Sequence, residues 1–221
     1  MRRRLVAAAA LGAVALAGAA AWVWWVPGYR PSLREGEAYA IDVSAHQGRI
    51  DWRAVARDGI GIAWIKATEG GDFTDDRFVA NWEAAGDAGV RRGAYHFFTL
   101  CRPGEEQARH FLRTVNEDGE VPHAVDLELA GNCAARPSRE DVARELAAFL
   151  GEVEEASHRP TVLYLGDDWR ERYGLPTGDR PLWLRRVLRR PSGGWYAWQV
   201  QGRARVDGVE GPVDLDVVRV G

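Results

Sequence analysis

Charge is absent from residues 5–26, a 22-residue run bounded by Arg2, Arg3 and Arg4 before it and Pro27 after it. A helix of that length, rising about 1.5 Å per residue, spans the roughly 30 Å hydrocarbon core of a bilayer. Trp22, Trp24 and Trp25 end the run where interfacial aromatics collect, and the arginines would stay inside and export the chain beyond Pro27. The pattern predicts an uncleaved signal anchor over residues 1–27. Small residues at 15–17 and 19–21 would instead suit a signal peptidase and give a secreted form. Residues 28–37, with Pro31 and Gly36, read as a short polar linker.

From residue 38 onward, apolar runs of strand character alternate with helical periodicity. Strands are expected over 38–44 (AYAIDVS), 60–68 (IGIAWIKAT), 90–98, 123–129 (HAVDLEL), 161–165, 182–187, 195–201 and 213–220. Helices are expected over 51–57, over 75–88, and over 103–115 with Pro at the first turn. A longer one starts at the N-cap Ser138, with Val142, Leu146, Phe149, Leu150 and Val153 at helical spacing. Beyond 165 the helical pattern fades. Alternation of this kind implies βαβ units and a parallel sheet. Eight strands within residues 38–221 predict one α/β domain, a flattened (β/α) barrel that is TIM-barrel-like with fewer helices in its C-terminal part. No Gly-x-Gly-x-x-Gly or phosphate-binding loop follows a strand, so no nucleotide cofactor is expected.

Composition narrows the function. The chain is 46% hydrophobic and 28% charged with a net charge of −3, which is globular. Beyond residue 27 the balance is 26 − 32 = −6, which argues against a nucleic-acid partner. Cys101 and Cys133, the only cysteines, fit one disulfide in an exported domain. They follow the third and fourth strands, and closing a loop of about 30 residues would stabilise by roughly 3 kcal/mol in the chain-entropy model.

Acids within apolar strands carry the chemical signal, because a buried charge costs several kcal/mol unless it is compensated. Asp42, Asp126, Glu128 and Asp214 lie in such strands, and Glu69 follows one. Carboxyl ends of barrel strands form the active face, so these acids should converge there. Asp126 and Glu128 are two apart and share a face, roughly 6.6 Å apart along the backbone, a separation suited to glycosidic cleavage. Taken singly, each acid also suits a structural hydrogen bond at a strand end. Ser44 and His46 lack a nucleophile elbow. His46, His96 and His123 with Asp126 are a weaker metal-site candidate, since a barrel histidine is ordinarily a satisfied polar group. Of Trp64, Trp183, Trp195 and Trp198, alternation assigns half to the core and leaves the rest to stack on sugars.

Asp42-Val43-Ser44-Ala45-His46-Gln47-Gly48, followed by Ile50-Asp51-Trp52, resembles the opening of the family 25 glycoside hydrolases, the muramidase-type lysozymes. Lys66-Ala67-Thr68-Glu69-Gly70, Gly93-Ala94-Tyr95-His96-Phe97-Phe98 and Asp126-Leu127-Glu128 are similar to their next signatures. So are Leu163-Tyr164, Leu182-Trp183, Trp198-Gln199 and the stretch from Gly208 to Leu215. The resemblance implies hydrolysis of the β-1,4 bond from N-acetylmuramic acid to N-acetylglucosamine in peptidoglycan, by a monomer without cofactor or metal. It implies Glu128 as general acid and Asp126 as partner carboxylate. Asp42, Asp214, Glu69, Tyr95, His96, Tyr164, Trp198 and Gln199 fall in its substrate-binding motifs. Two departures stand out: Leu184-Arg185-Arg186 replaces Ile-Ala and an aromatic, and Asp216 stands where Asn is usual.

Burial and repulsion from Asp126 should raise the Glu128 pKa, so that it donates a proton near neutral pH. Asp126 would orient the substrate's 2-acetamido group for attack on its own anomeric carbon. Direct attack by Asp126 and an inverting water are equally compatible with the sequence. Two other classes are an inactive peptidoglycan-binding module, which the intact acid pair argues against, and a metal-dependent barrel amidase or deacetylase, which EDTA would inhibit.

Overall fold

The structure, a computed structural model, describes residues 22–115, 119–131 and 133–220, together with Gly12 and Gly18. Among the described residues nine strands are present: β1 Glu37–Val43, β2 Ile60–Glu69, β3 Phe73–Thr74, β4 Arg91–Phe97, β5 Ala124–Leu127, β6 Val162–Leu165, β7 Leu182–Arg185, β8 Ala197–Ala204 and β9 Val213–Arg219. The α-helices packed with them are α1 Trp52–Arg57, α2 Phe78–Asp87, α3 Gly104–Thr114, α4 Arg139–Ser157 and α5 Asp167–Arg172.

Strands β1, β2 and β4 to β8 run parallel, and β9 closes the barrel by pairing antiparallel with both β8 and β1. The expected barrel is thus present, with one reversed stave. The short β3 folds back on β2 outside the ring. No α-helix separates β7, β8 and β9, as the fading periodicity predicts. The helix α5 after β6 has no counterpart among the elements expected from the sequence.

Each stave is covered on both faces, which is why β2 reads as an almost unbroken apolar run. Ile62, Trp64, Ala124, Val162, Tyr164 and Trp183 fill the interior. Ala63, Ile65, Val125, Leu127, Leu163 and Leu165 face outward into a larger core shared with α2, α3 and α4. Trp64 stacks on Trp183 at 4.6 Å inside the barrel, and its ring crowds β4. A side chain at Gly93 would place Cβ 2.8 Å from the Trp64 indole nitrogen and 2.9 Å from the Pro122 carbonyl, so only glycine fits there.

The helices start as their sequences require. The Asp51 side chain accepts from the Ala54 amide to cap α1, and Ser138 accepts from the Asp141 amide to cap α4. Val142, Leu146, Phe149, Leu150 and Val153 are the buried face of α4, as their spacing predicts. Cys101 and Cys133 are bonded, tying the loops after β4 and β5 on the carboxyl-terminal face.

Residues 28–36 are docked along the barrel, not free as a linker would be. The Pro27 carbonyl accepts from the Arg205 amide and the Tyr29 carbonyl from Gln201. Arg30 pairs with Asp58, and the Tyr39 hydroxyl donates to the Pro31 carbonyl. Most of the expected membrane anchor lies outside the described residues, among which no helix is long and apolar enough to cross a membrane.

Candidate active site

A cleft of about 550 Å³ opens at the carboxyl-terminal face. Its walls carry Asp42 from β1, Lys66 and Glu69 from β2, Tyr95 and Phe97 from β4, Asp126 from β5 with Glu128 just beyond it, and Tyr164 from β6. Trp183 and Arg185 from β7, Gln199 from β8 and Asp214 from β9 also line it, with Ser44 and His46 beyond β1. A hollow of about 720 Å³ lies apart, beside α5, and is lined mainly by leucines.

Asp214 reaches this face by a route the sequence did not disclose. It sits at the start of β9, and because β9 is antiparallel its amino end meets the carboxyl ends of the others; Asp42 and Asp214 are register partners. Glu69 depends on an irregularity in β2. A register shift between Lys66 and Thr68 puts Ala67 and Thr68 both on the outer side, so the inward alternation resumes at Glu69. Lys66 and Glu69 therefore share the cleft wall and pair at 2.7 Å.

A relay supports Asp42: the Tyr164 hydroxyl donates to Gln199 Oε1 at 3.1 Å, and Gln199 Nε2 donates to Asp42 Oδ2 at 3.3 Å. One layer deeper, fully buried Asp216 accepts from the Trp183 indole at 2.8 Å. Burial raises the pKa of both Asp42 and Asp216, and neighbouring Asp214 raises them further. Burial pushes Asp214 itself up to about 6, against the opposing pull of Arg185.

Asp126 and Glu128 are both raised, first by loss of solvent. Their mutual repulsion raises the pair further, and Asp126 is the deeper of the two. Asp168 is a further carboxylate that presses on Glu128, one the sequence did not point to. Asp168 is anchored at the start of α5, where it accepts from the Leu129 amide at 3.0 Å and the Trp169 amide at 2.7 Å. Gly166 permits the approach: a Cβ there would lie 2.7 Å from Asp168 Oδ1 and 2.9 Å from Glu128 Cβ. Asp126 Oδ1 is buried and has no hydrogen-bond partner among the described residues. A proton-bearing carboxyl beside an acceptor with spare capacity suits cleavage of a glycosidic bond next to an amide substituent.

Two expected contacts are corrected. His96 and Trp198 face out of the barrel, because each follows or precedes an inward neighbour, Tyr95 or Gln199, on the same strand. His96 is fully buried, accepts from or donates to Thr68 Oγ1 at 2.7 Å, bonds Gln107 at 3.2 Å and stacks on Phe149 at 4.8 Å. Burial pushes its pKa down to about 3, so it stays neutral. Trp198 donates its indole N–H to the Arg186 carbonyl at 2.7 Å in a separate outer cluster. With His96 turned away and His123 accepting from the Ala94 amide, the three histidines do not gather around Asp126. Among the described residues no group of acids, histidines and cysteines is arranged to hold a metal. Lys66, Phe97, Arg185 and Asp168 join the site without having been assigned to it from the sequence.

The profile of the glycosyl hydrolases family 25 matches residues 41–209. The YegX protein of Escherichia coli K12 is 36% identical over 208 residues, covering 86% of this chain and 75% of its own. Lysozyme M1 of Streptomyces globisporus is 33% identical over 197 residues, covering 79% of this chain and 65% of its own. The structure of a family 25 glycosyl hydrolase from Bacillus anthracis superposes with a TM-score of 0.78 at 33% identity, covering 86% of this chain and 92% of that one. An acid-lined cleft at the mouth of a barrel closed by one reversed strand, with a family match over residues 41–209, leads to one conclusion: the chain belongs to glycosyl hydrolases family 25.

Proposed function

We propose that the chain is a peptidoglycan muramidase in which Glu128 is the general acid and Asp126 the residue that orients the substrate's acetamido group. The observation that carries this reading is the pair itself, two adjoining carboxyls with raised pKa values at the end of β5, one of them with an unpartnered buried oxygen. A pair this close titrates as a unit. An amide N–H donated to Asp126 favours its ionised form, and the proton the pair retains then resides on Glu128.

Glu128 delivers that proton to the leaving glycosidic oxygen as the bond to the anomeric carbon breaks. The acetamido carbonyl oxygen bonds to the anomeric carbon from the other face, and Asp126 compensates the positive charge that develops on the amide and ring. Water then attacks the anomeric carbon, gives its proton to Glu128 and restores the acetamido group. Asp42 and Asp214, with Tyr95, Tyr164 and Gln199, line the place of the sugar whose bond is cut.

Mass spectrometry of fragments released from purified sacculi tests the reading. New reducing ends should be N-acetylmuramic acid; glucosamine ends or free stem peptides would overturn it. EDTA should leave the activity intact.

The pH dependence rests on the burial of Glu128 and, after that, on Asp168. A general acid works only while protonated, so activity falls as pH rises through the Glu128 pKa. Asp168→Asn removes the repulsion that helps hold that pKa up, and the basic limb of the kcat/KM profile should move to lower pH. An unmoved limb would remove Asp168 from the account.

Export belongs to the same reading, since the substrate lies outside the cytoplasm. We assign residues 1–27 to a signal anchor and residues 38–221 to the hydrolase domain. The intact protein should sediment with membranes and resist a high-salt wash; a soluble form beginning near Ala20 or Trp22 would leave secretion instead.

A further inference from the structure

Arg185 stands at the rim of the cleft with its charge uncommitted. It lies two residues beyond Trp183 on β7, on the same inward face, and it is exposed where Trp183 is buried. Its register partner on β8 is Gln199. The cleft holds one other permanent cation, Lys66, which is bound to Glu69 at 2.7 Å and lies over the rings of Phe97 and Phe73 at 5.1 and 5.5 Å. Nearby arginines are also engaged: Arg186 pairs with Asp167 at 2.9 Å, and Arg190 pairs with Glu37 and lies over Trp198. Among the described residues the Arg185 guanidinium makes no hydrogen bond or ion pair, although its field reaches Glu128 and Asp214.

The charge balance says what such a group would meet. Five acids line the cleft, in a domain whose net charge beyond residue 27 is −6, so an anionic ligand is repelled everywhere except at this rim. The sugar backbone of peptidoglycan is uncharged. Its negative charge sits on the carboxylates of the stem peptide, which is amide-linked to the lactyl group of the muramoyl residue, or on the lactyl carboxylate itself where that peptide has been removed. A planar guanidinium fork matches a carboxylate in two parallel hydrogen bonds.

On the muramidase reading, on which this inference rests, we propose that Arg185 is a specificity-determining residue that binds the carboxylate carried on the lactyl side of the muramoyl sugar. It favours strands whose carboxyls are free over strands whose carboxyls are amidated. Because the contact forms at the rim, in the bound ground state and the transition state alike, it acts on KM, and it is read from the difference in KM between free and amidated strands at one pH, where the effect of the Arg185 charge on Glu128 is the same for both.

Steady-state kinetics on soluble, uncrosslinked glycan strands tests this. Wild-type KM should be about three- to tenfold lower for peptide-bearing strands with free carboxyls than for the same strands fully amidated. Arg185→Gln should raise the first KM to the level of the second, and Arg185→Lys should recover part of the difference. On peptide-bearing strands the lactyl carboxyl is already an amide, so this difference reads the stem peptide; on peptide-free strands a low KM that Arg185→Gln raises extends the contact to the lactyl carboxylate, and a high KM confines it to the stem peptide. Equal wild-type KM values on free and amidated strands would overturn the assignment, as would an Arg185→Gln change that is the same on both. A wild type that cleaves none of these strands would remove the muramidase reading together with it.

Discussion

Glu128→Gln should lower turnover of peptidoglycan by about 10³- to 10⁴-fold or more while the barrel stays folded. Gln keeps the size and much of the hydrogen bonding of the acid but delivers no carboxylic proton, and a glycosidic oxygen leaves poorly without one. The fold should not suffer, because the substitution also removes the repulsion between Glu128 and Asp168. Turbidity clearing of purified walls, with a melting curve for each protein, reads both quantities. Retention of more than about a tenth of wild-type activity would end the general-acid assignment. Asp126 would then be the next candidate. Glu69 is weaker than its sequence position suggested, since its carboxylate is engaged by Lys66.

Asp126→Asn should cost about 10²- to 10³-fold, for a different reason. The amide cannot compensate the charge that develops on the acetamido group, and its NH₂ presents donors where the substrate needs an acceptor. The pH profile reports on the same pair. Asp126 and Glu128 both lie above the ordinary carboxylate range and titrate as a unit. Removing one negative charge of the pair lowers the pKa of the other, so the basic limb of kcat/KM should move to lower pH in whatever activity survives. A limb that stays in place would show that Asp126 carries no charge while Glu128 titrates. Stability gives a second readout. A carboxyl whose folded pKa is raised contributes most stability below its unfolded pKa and loses it as pH rises through the folded one. At pH 7 the Asn variant should melt no lower than the wild type.

Much of the barrel was legible because its staves are apolar on both faces and its helices carry caps and periodic faces. Ser138 with Val142, Leu146 and Phe149 needed nothing beyond local rules. The short α5 was missed because Asp167–Arg172 is almost wholly charged, and its place depends on one buried residue, Trp169, which packs edge-on to Phe98. The site was legible in its acids and less so in their neighbours. His96 and Trp198 were expected in the cleft beside Tyr95 and Gln199, yet adjacent residues of a strand face opposite ways, and alternation alone decides against both pairs. Glu69 shows the converse. Alternation counted from Lys66 would turn it outward, and only the bulge, a pairing property invisible in β2 alone, turns it in. Asp214 was placed at the right face although the reversal of β9 could not be read from its sequence.

The docking of residues 28–36 has a mechanical consequence. Nine or ten free residues would act as a leash with a root-mean-square reach of roughly 17 Å, letting the barrel swing and roll. Laid against Gln201, Arg205 and Asp58, the same residues act as a bracket. The barrel then turns together with Pro27 and the residues docked beside it. On the signal-anchor proposal, an enzyme mounted in this way would cut the strands that pass its mouth at one height and one angle, and coverage of a wall would depend on the travel of the whole molecule.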